Sequence, residues 1–199
     1  MCAGTRAAPR RMDGRTTEVR LVSIKQQQDI TRFFEHVQGT ARNAFKRDGV
    51  CVPAAILLLE DKQVVLPLNI LGQNKDVASM LLKKLIEKTR PLAFVLVTEA
   101  WMASGRKSDL KGGNEQDIVE KYNGTLVERT PDGGEKPKDG VKEVVILNCS
   151  SVTGENFTLM ADIIRKPGRK PILKPWERFD NRDARGRFIF DVTPLIERQ

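Results

Sequence analysis

Residues 92–104 read LAFVLVTEAWMAS, the longest run of β-favouring residues in the chain. One alternating face carries Ala93, Val95, Val97, Glu99 and Trp101, and the other carries Phe94, Leu96, Thr98, Ala100 and Met102. A strand with one wet side alternates apolar with polar, whereas a strand covered on both sides has no polar face. The stretch therefore predicts a central strand, with material packed above and below it. Glu99 is the one acid inside it.

Working outward, Cys51–Glu60 (CVPAAILLLE) and Gln63–Ile70 (QVVLPLNI) read as two strands joined by a tight turn at Asp61-Lys62. Pro67 removes a ladder donor from the second strand, which predicts an edge position or a bulge. Between this pair and the central strand, Val77, Ala78, Leu81, Leu82, Leu85 and Ile86 recur at helical spacing. Asn74 is the expected N-cap, and Pro91 is the stop. Lys83, Lys84, Glu87 and Lys88 form the solvated face of that helix. At the start of the ordered chain, Ile30, Phe33, Phe34, Val37, Ala41, Ala44 and Phe45 make one stripe, which predicts a helix from about Gln28 to Asp48. Asp29 stands in its first turn, Lys46 and Arg47 in its last, and Gly49 comes next as a stop.

After the central strand, residues 105–140 contain seven glycines, two prolines and many charges. This polar insertion is expected to lack regular structure apart from a short helical turn at Gln116–Tyr122 and a short strand at Thr125–Thr130. Lys142–Ser151 and Asn156–Lys166 then read as a strand pair about a Val-Thr-Gly-Glu turn. Beyond Lys166, Pro171 and Pro175 forbid a helix and favour an extended path, with Arg187–Phe190 as a last short strand. The expected architecture is α+β: a mainly antiparallel sheet of about five strands with two helices packed on it, in the order α-β-β-α-β-loop-β-β. The expected organisation is a disordered basic segment at 1–25, a single domain at 26–166, and a basic segment with prolines and aromatics at 167–199. Met12 offers an alternative start of translation to Met1.

The formal net charge is +8 over 199 residues. Residues 1–25 hold six basic and two acidic side chains, residues 164–199 hold ten and five, and the middle holds eighteen and nineteen. The basicity thus belongs to the ends, where it attracts a polyanion. Cys2, Cys51 and Cys149 form no CxxC pair, and no secretion signal or membrane-length apolar run is present, so the expected compartment is the cytoplasm. On that ground the sequons at Asn123, Asn148 and Asn156 carry no weight.

Motif chemistry is sparse. No phosphate loop, dinucleotide fingerprint, nucleophile elbow, zincin helix or EF-hand loop occurs. His36 is the only histidine, so it has no second imidazole with which to ligate a metal. Cys149 lies in an apolar strand and reads as a small buried hydrophobe. No cofactor and no metal is expected. Two weak catalytic candidates stand out, Glu99 and Asp162, each an acid in an otherwise apolar strand. Converging, they would hold Mg²⁺ or share acid–base work, with Arg106, Lys107 or Arg165 on a phosphate. An internal ion pair from Asp162 to Arg165 or Lys166 is the plainer reading.

The C-terminal segment gives the other signal. Arg169, Lys170, Lys174, Arg178, Arg185 and Arg187 are interleaved with Trp176, Phe179, Phe188 and Phe190. Cations meet phosphates and exposed rings stack on bases, a combination suited to single-stranded nucleic acid. The alternative is that the rings anchor an extended tail to the core while the charges stay in water. The favoured expectation is a non-enzymatic binding module whose basic aromatic segment contacts nucleic acid or an acidic partner. A metal-dependent hydrolase or nuclease using Glu99 and Asp162 is the alternative. In element order the chain also resembles roadblock/longin-type domains, a likeness that implies a protein-interaction module and rests on no shared motif.

Overall fold

The Ile30–Phe45 stripe forms helix α1, Ile24–Asp48, in a computed structural model that describes residues 23–68, 75–103, 126–129 and 135–180. The helix starts four residues earlier than the stripe predicts because Ser23 and Gln26 form a capping box. The Ser23 side chain accepts the Gln26 N–H at 3.2 Å, and Gln26 Oε1 accepts the Ser23 N–H at 2.9 Å. Asp29 consequently lies beyond the first turn. The stop is at Gly49, whose φ of 73° is left-handed and whose N–H reaches Phe45 O at 2.7 Å.

Strands β1 (Ala54–Leu58) and β2 (Gln63–Pro67) come next as an antiparallel hairpin. Its loop is Glu60-Asp61, one residue earlier than expected, because Leu59 N–H donates to Lys62 O at 2.8 Å. Helix α2 spans Lys75–Thr89 and leads to the central strand β3, Ala93–Ala103. The remaining strands are β4 (Val127–Arg129), β5 (Glu135–Pro137), β6 (Val141–Ser151), β7 (Asn156–Ile164), β8 (Ile172–Leu173) and β9 (Glu177–Asp180). The main sheet runs β2-β1-β3-β6-β7-β8, with β9 also paired to β7, and every pairing is antiparallel.

The α+β class and the antiparallel sheet with two helices agree with the expectation, and β3 is central. The strand count and order do not agree. Seven strands form the main sheet rather than about five, the short strand expected at Thr125–Thr130 is β4 and pairs with an unexpected β5 in a separate two-stranded sheet, and the C-terminal segment contributes β8 and β9. These strands are two to four residues long, and in β4, β8 and β9 Leu173 is the one buried side chain, so their stabilisation comes from pairing with a neighbour rather than from local pattern. The predicted cap Asn74, the turn at Gln116–Tyr122, the strand at Arg187–Phe190, the polar stretch 105–125 and the segments 1–22 and 181–199 lie outside the described residues.

The two helices take opposite faces of the sheet. On one, Ile30, Phe33, Phe34, Val37, Ala41 and Phe45 of α1 share a core with Val95, Val97, Val145, Leu147, Phe157 and Leu159. On the other, Leu82 and Ile86 of α2 pack with Ala55, Leu57, Phe94 and Leu96. This is why β3 reads apolar on both sides. Pro67 stands on the outermost strand of its edge, as its missing N–H requires. No helix among the described residues is long and apolar enough to cross a membrane.

Candidate functional site

Two candidate constellations came from the sequence, and the sheet places them differently. Register aligns Glu99 with Val145 and Val145 with Ala161, so Glu99 shares the α1 face with those residues. Asp162, one residue beyond Ala161, points to the α2 face. The two carboxylates are on opposite sides of the sheet and do not converge. Among the described residues no group of three His, Cys, Asp or Glu is placed to hold a metal ion.

Each acid has its own cations. Asp162 Oδ2 accepts Lys174 Nζ at 2.9 Å and Lys142 Nζ at 3.3 Å, and these partners replace the Arg165 or Lys166 expected from sequence. The Lys174 hydrogen bond, aided by Lys142, lowers the Asp162 pKa against the opposing effect of burial. Glu99 accepts the Cys51 backbone N–H and lies 3.7 Å from Arg165. Arg165 grips Glu143 with two bonds of 2.7 Å and also donates to Gly49 O at 3.1 Å. Burial nevertheless wins at Glu99 and raises its pKa, while the Cys51 N–H and Arg165 pull it down and Glu143 adds to the rise.

The thiols are poor nucleophiles. Burial, with Glu99 nearby, pushes Cys51 up to about 11, and burial pushes Cys149 up to about 12. Both remain protonated at neutral pH. Cys149 is buried in the core as expected. His36 is exposed on α1.

The described part of the C-terminal segment pairs along β7 as part of the sheet. Ile172 and Leu173 pair with Ile164 and Ile163, and Glu177–Asp180 pair with Met160–Phe157. Lys174 N–H donates to Asp162 O at 2.9 Å. Arg42 of α1 donates to Leu173 O at 3.4 Å and Lys174 O at 2.7 Å, and its guanidinium sits 5.5 Å from the Trp176 ring centre. Trp176 is partly buried against the α1-side core, and its Nε1 is buried with no hydrogen-bond partner among the described residues. Arg178 lies 3.6 Å over the Phe157 ring, whose edge meets Phe34 at 5.2 Å.

Of the basic and aromatic residues singled out in the sequence, Trp176 and Arg178 thus contact the core, and Lys174 is paired with Asp162. Arg169 and Lys170 are exposed, and Arg185 and Arg187 lie outside the described residues. Phe179, 42 % exposed, is the ring of β9 that faces water. Trp176→Phe is expected to leave stability within about 1 kcal/mol of the wild type, because removing an orphaned buried N–H offsets the smaller ring. Urea unfolding checks this, and a loss of several kcal/mol would show that Nε1 has a partner.

A feature the sequence did not single out is the meeting of two basic turns. Lys166 to Lys170 form the β7–β8 turn, closed by Arg169 N–H to Lys166 O at 3.1 Å with Gly168 at φ 68°. The neighbouring Pro171 ring lies against Gly49, where an added Cβ would come within 3.1 Å of Pro171 Cγ. Together with the Arg165–Gly49 bond, this contact sets the turn beside the last turn of α1, which carries Lys46 and Arg47. Arg47 is paired with Asp48. Lys46, Lys166, Arg169 and Lys170 are exposed and form no salt bridge among the described residues. On the α1 side of β1 and β2, a groove of about 300 Å³ is lined by Val37, Ala44, Val50, Val52 and Val65.

No protein-family model, no curated protein and no solved structure matches this chain.

Proposed function

We propose that the chain is a non-enzymatic binding module that contacts nucleic acid, single strands in preference to duplex, through its basic C-terminal segment. The observation that carries this reading is the group of exposed cations Lys166, Arg169 and Lys170, which form no salt bridge among the described residues and lie on a turn held against the C-terminal end of α1 by the Gly49–Pro171 contact. Such cations bind phosphate by releasing counterions, and their affinity does not depend on a deep pocket. Arg185 and Arg187 extend the same charge along the chain. Phe179 is the ring this reading assigns to base stacking; Trp176 is assigned to anchoring, since it packs against the core. An acidic protein is a second polyanion suited to the same surface. The preference for a binding module over a metal-dependent hydrolase rests on sheet parity, which sends Glu99 and Asp162 to opposite faces.

The test is binding of the full chain to labelled single-stranded and duplex oligonucleotides across a salt series. Three phosphate contacts on a single strand give a log–log salt slope of about −2. The combined variant Lys166→Glu, Arg169→Glu, Lys170→Glu is expected to abolish most of the binding and flatten the slope, without altering the thermal midpoint. Absence of binding at low salt, or binding insensitive to salt, would sink the reading.

A further inference from the structure

Strand β2 is outermost on its side of the sheet, with β1 as its one partner among the described residues. Leu59 N–H donates to Lys62 O at 2.8 Å and Leu68 N–H to Pro53 O at 2.9 Å, both within the β1–β2 register. Hydrogen-bonded pairs alternate along an antiparallel ladder, so they recur at Lys62, Val64, Leu66 and Leu68. The backbone groups of Gln63, Val65 and Pro67 are therefore turned away from β1, toward the open edge. Pro67 sits where its missing N–H costs the inner ladder nothing.

Open edges are commonly blunted by lysine or another charge. This one, QVVLP, has no charged side chain in a chain of net charge +8. Its outward groups are the N–H and C=O of Gln63 and Val65 and the C=O of Pro67. On the α1 face beside it, three valines are exposed: Val50 at 47 %, Val52 at 58 % and Val65 at 56 %. Val65 lies opposite Ile56, a member of the α1-side core, so its side chain stands on that same face.

We propose that β2 is a dimer seam, at which a second copy of this chain adds its own β2 antiparallel about a two-fold axis through Val65. The outward pattern is complementary to itself. Each Val65 N–H meets the other copy's Val65 C=O, and each Gln63 N–H meets the other copy's Pro67 C=O, giving four hydrogen bonds. The position lacking a donor, Pro67, falls opposite Gln63. No like charges are apposed along the seam, which removes the usual penalty for pairing identical strands. An axis normal to the sheet keeps both α1 faces on one side, so the two Val65 side chains meet and the two valine-lined grooves open toward each other. A short seam of this kind corresponds to a dissociation constant of about 10–100 μM.

Sedimentation equilibrium of the full chain from about 1 to 500 μM tests the seam, together with hydrogen exchange at the Gln63 and Val65 amides. A monomer–dimer equilibrium is expected, with exchange at Val65 slowing as protein concentration rises. Val65→Lys places two ammonium groups on the axis and should raise the dissociation constant at least about tenfold. Val65→Pro removes the outward N–H without touching the β1 ladder and should do the same, which keeps the test open if one variant folds poorly. A chain monomeric throughout the range overturns the proposal. So does a Val65 amide protected equally at every concentration, because the edge would then be covered within one molecule. A dimer that both variants leave intact overturns it as well.

Discussion

Phe94→Ala is expected to destabilise the chain by about 3–5 kcal/mol, a large share of the 5–15 kcal/mol that holds an ordinary domain together. Phe94 is 1 % exposed near the start of β3, on the α2 face. Register places it opposite Leu57 on one neighbouring strand and Ser150 on the other, and it shares its cluster with Leu82 and Ile86 of α2. Truncation loses the transfer free energy of the ring and leaves a cavity that rigid strands on both sides cannot close. Phe94→Leu keeps most of the volume and should cost below about 1.5 kcal/mol. Phe179→Ala, at an exposed position of β9, should stay within about 0.5 kcal/mol. Urea unfolding of the three variants measures the ranking. Equal losses for Phe94→Ala and Phe179→Ala would mean that α2 does not cover this face of the sheet.

Arg165→Ala should cost about 1–2 kcal/mol at neutral pH, less than a fully buried pair because the guanidinium side chain is 43 % exposed and screened. The variant strips the bidentate partner from Glu143, removes the cation 3.7 Å from Glu99, and frees Gly49 O at the end of α1. The deficit depends on pH with a definite sign. The Glu99 pKa is already raised above its ordinary 4.5 by burial, and Arg165 is one of the two groups opposing that rise. Without Arg165 it moves further up. A carboxyl with a raised folded pKa contributes fully below its unfolded value, and that contribution is lost as pH rises through the folded value. The variant's deficit should therefore be greatest at neutral pH and shrink toward pH 4.

Asp162 has the opposite sign. Its pKa is lowered by Lys174 and Lys142 from an ordinary 3.8, so its contribution holds above 3.8 and fades only as pH falls through the lowered folded value. It stays largely in place in an experiment between pH 4 and 7. Urea unfolding across that range tests the argument. A deficit of the same size at both ends would mean that Glu99 does not feel Arg165.

The local periodicity of the chain was enough to mark out α1, α2 and the strands β1, β2, β3, β6 and β7. It placed β3 at the centre, gave α1 its buried stripe, ended that helix at Gly49 and sent Pro67 to an edge. Each of these follows from the side chains and backbone of one segment. The Ser23–Gln26 capping box lies ahead of the apolar stripe, outside the periodicity that located the helix, and it explains the earlier start of α1. Other properties depended on the tertiary structure. β9, ERFD, has no apolar alternation and becomes a strand because its backbone finds the free edge of β7. For Trp176 the sequence leaves two readings open, a stacking ring or an anchor of the tail, and its packing against the α1-side core near Arg42 is a property of the tertiary structure. Glu99 and Asp162 look like a pair until the register sends them to opposite faces. In a sheet the direction of a side chain has a period of two, so a one-residue difference in alignment between distant strands reverses which residues can meet. No pattern within a single segment carries that alignment.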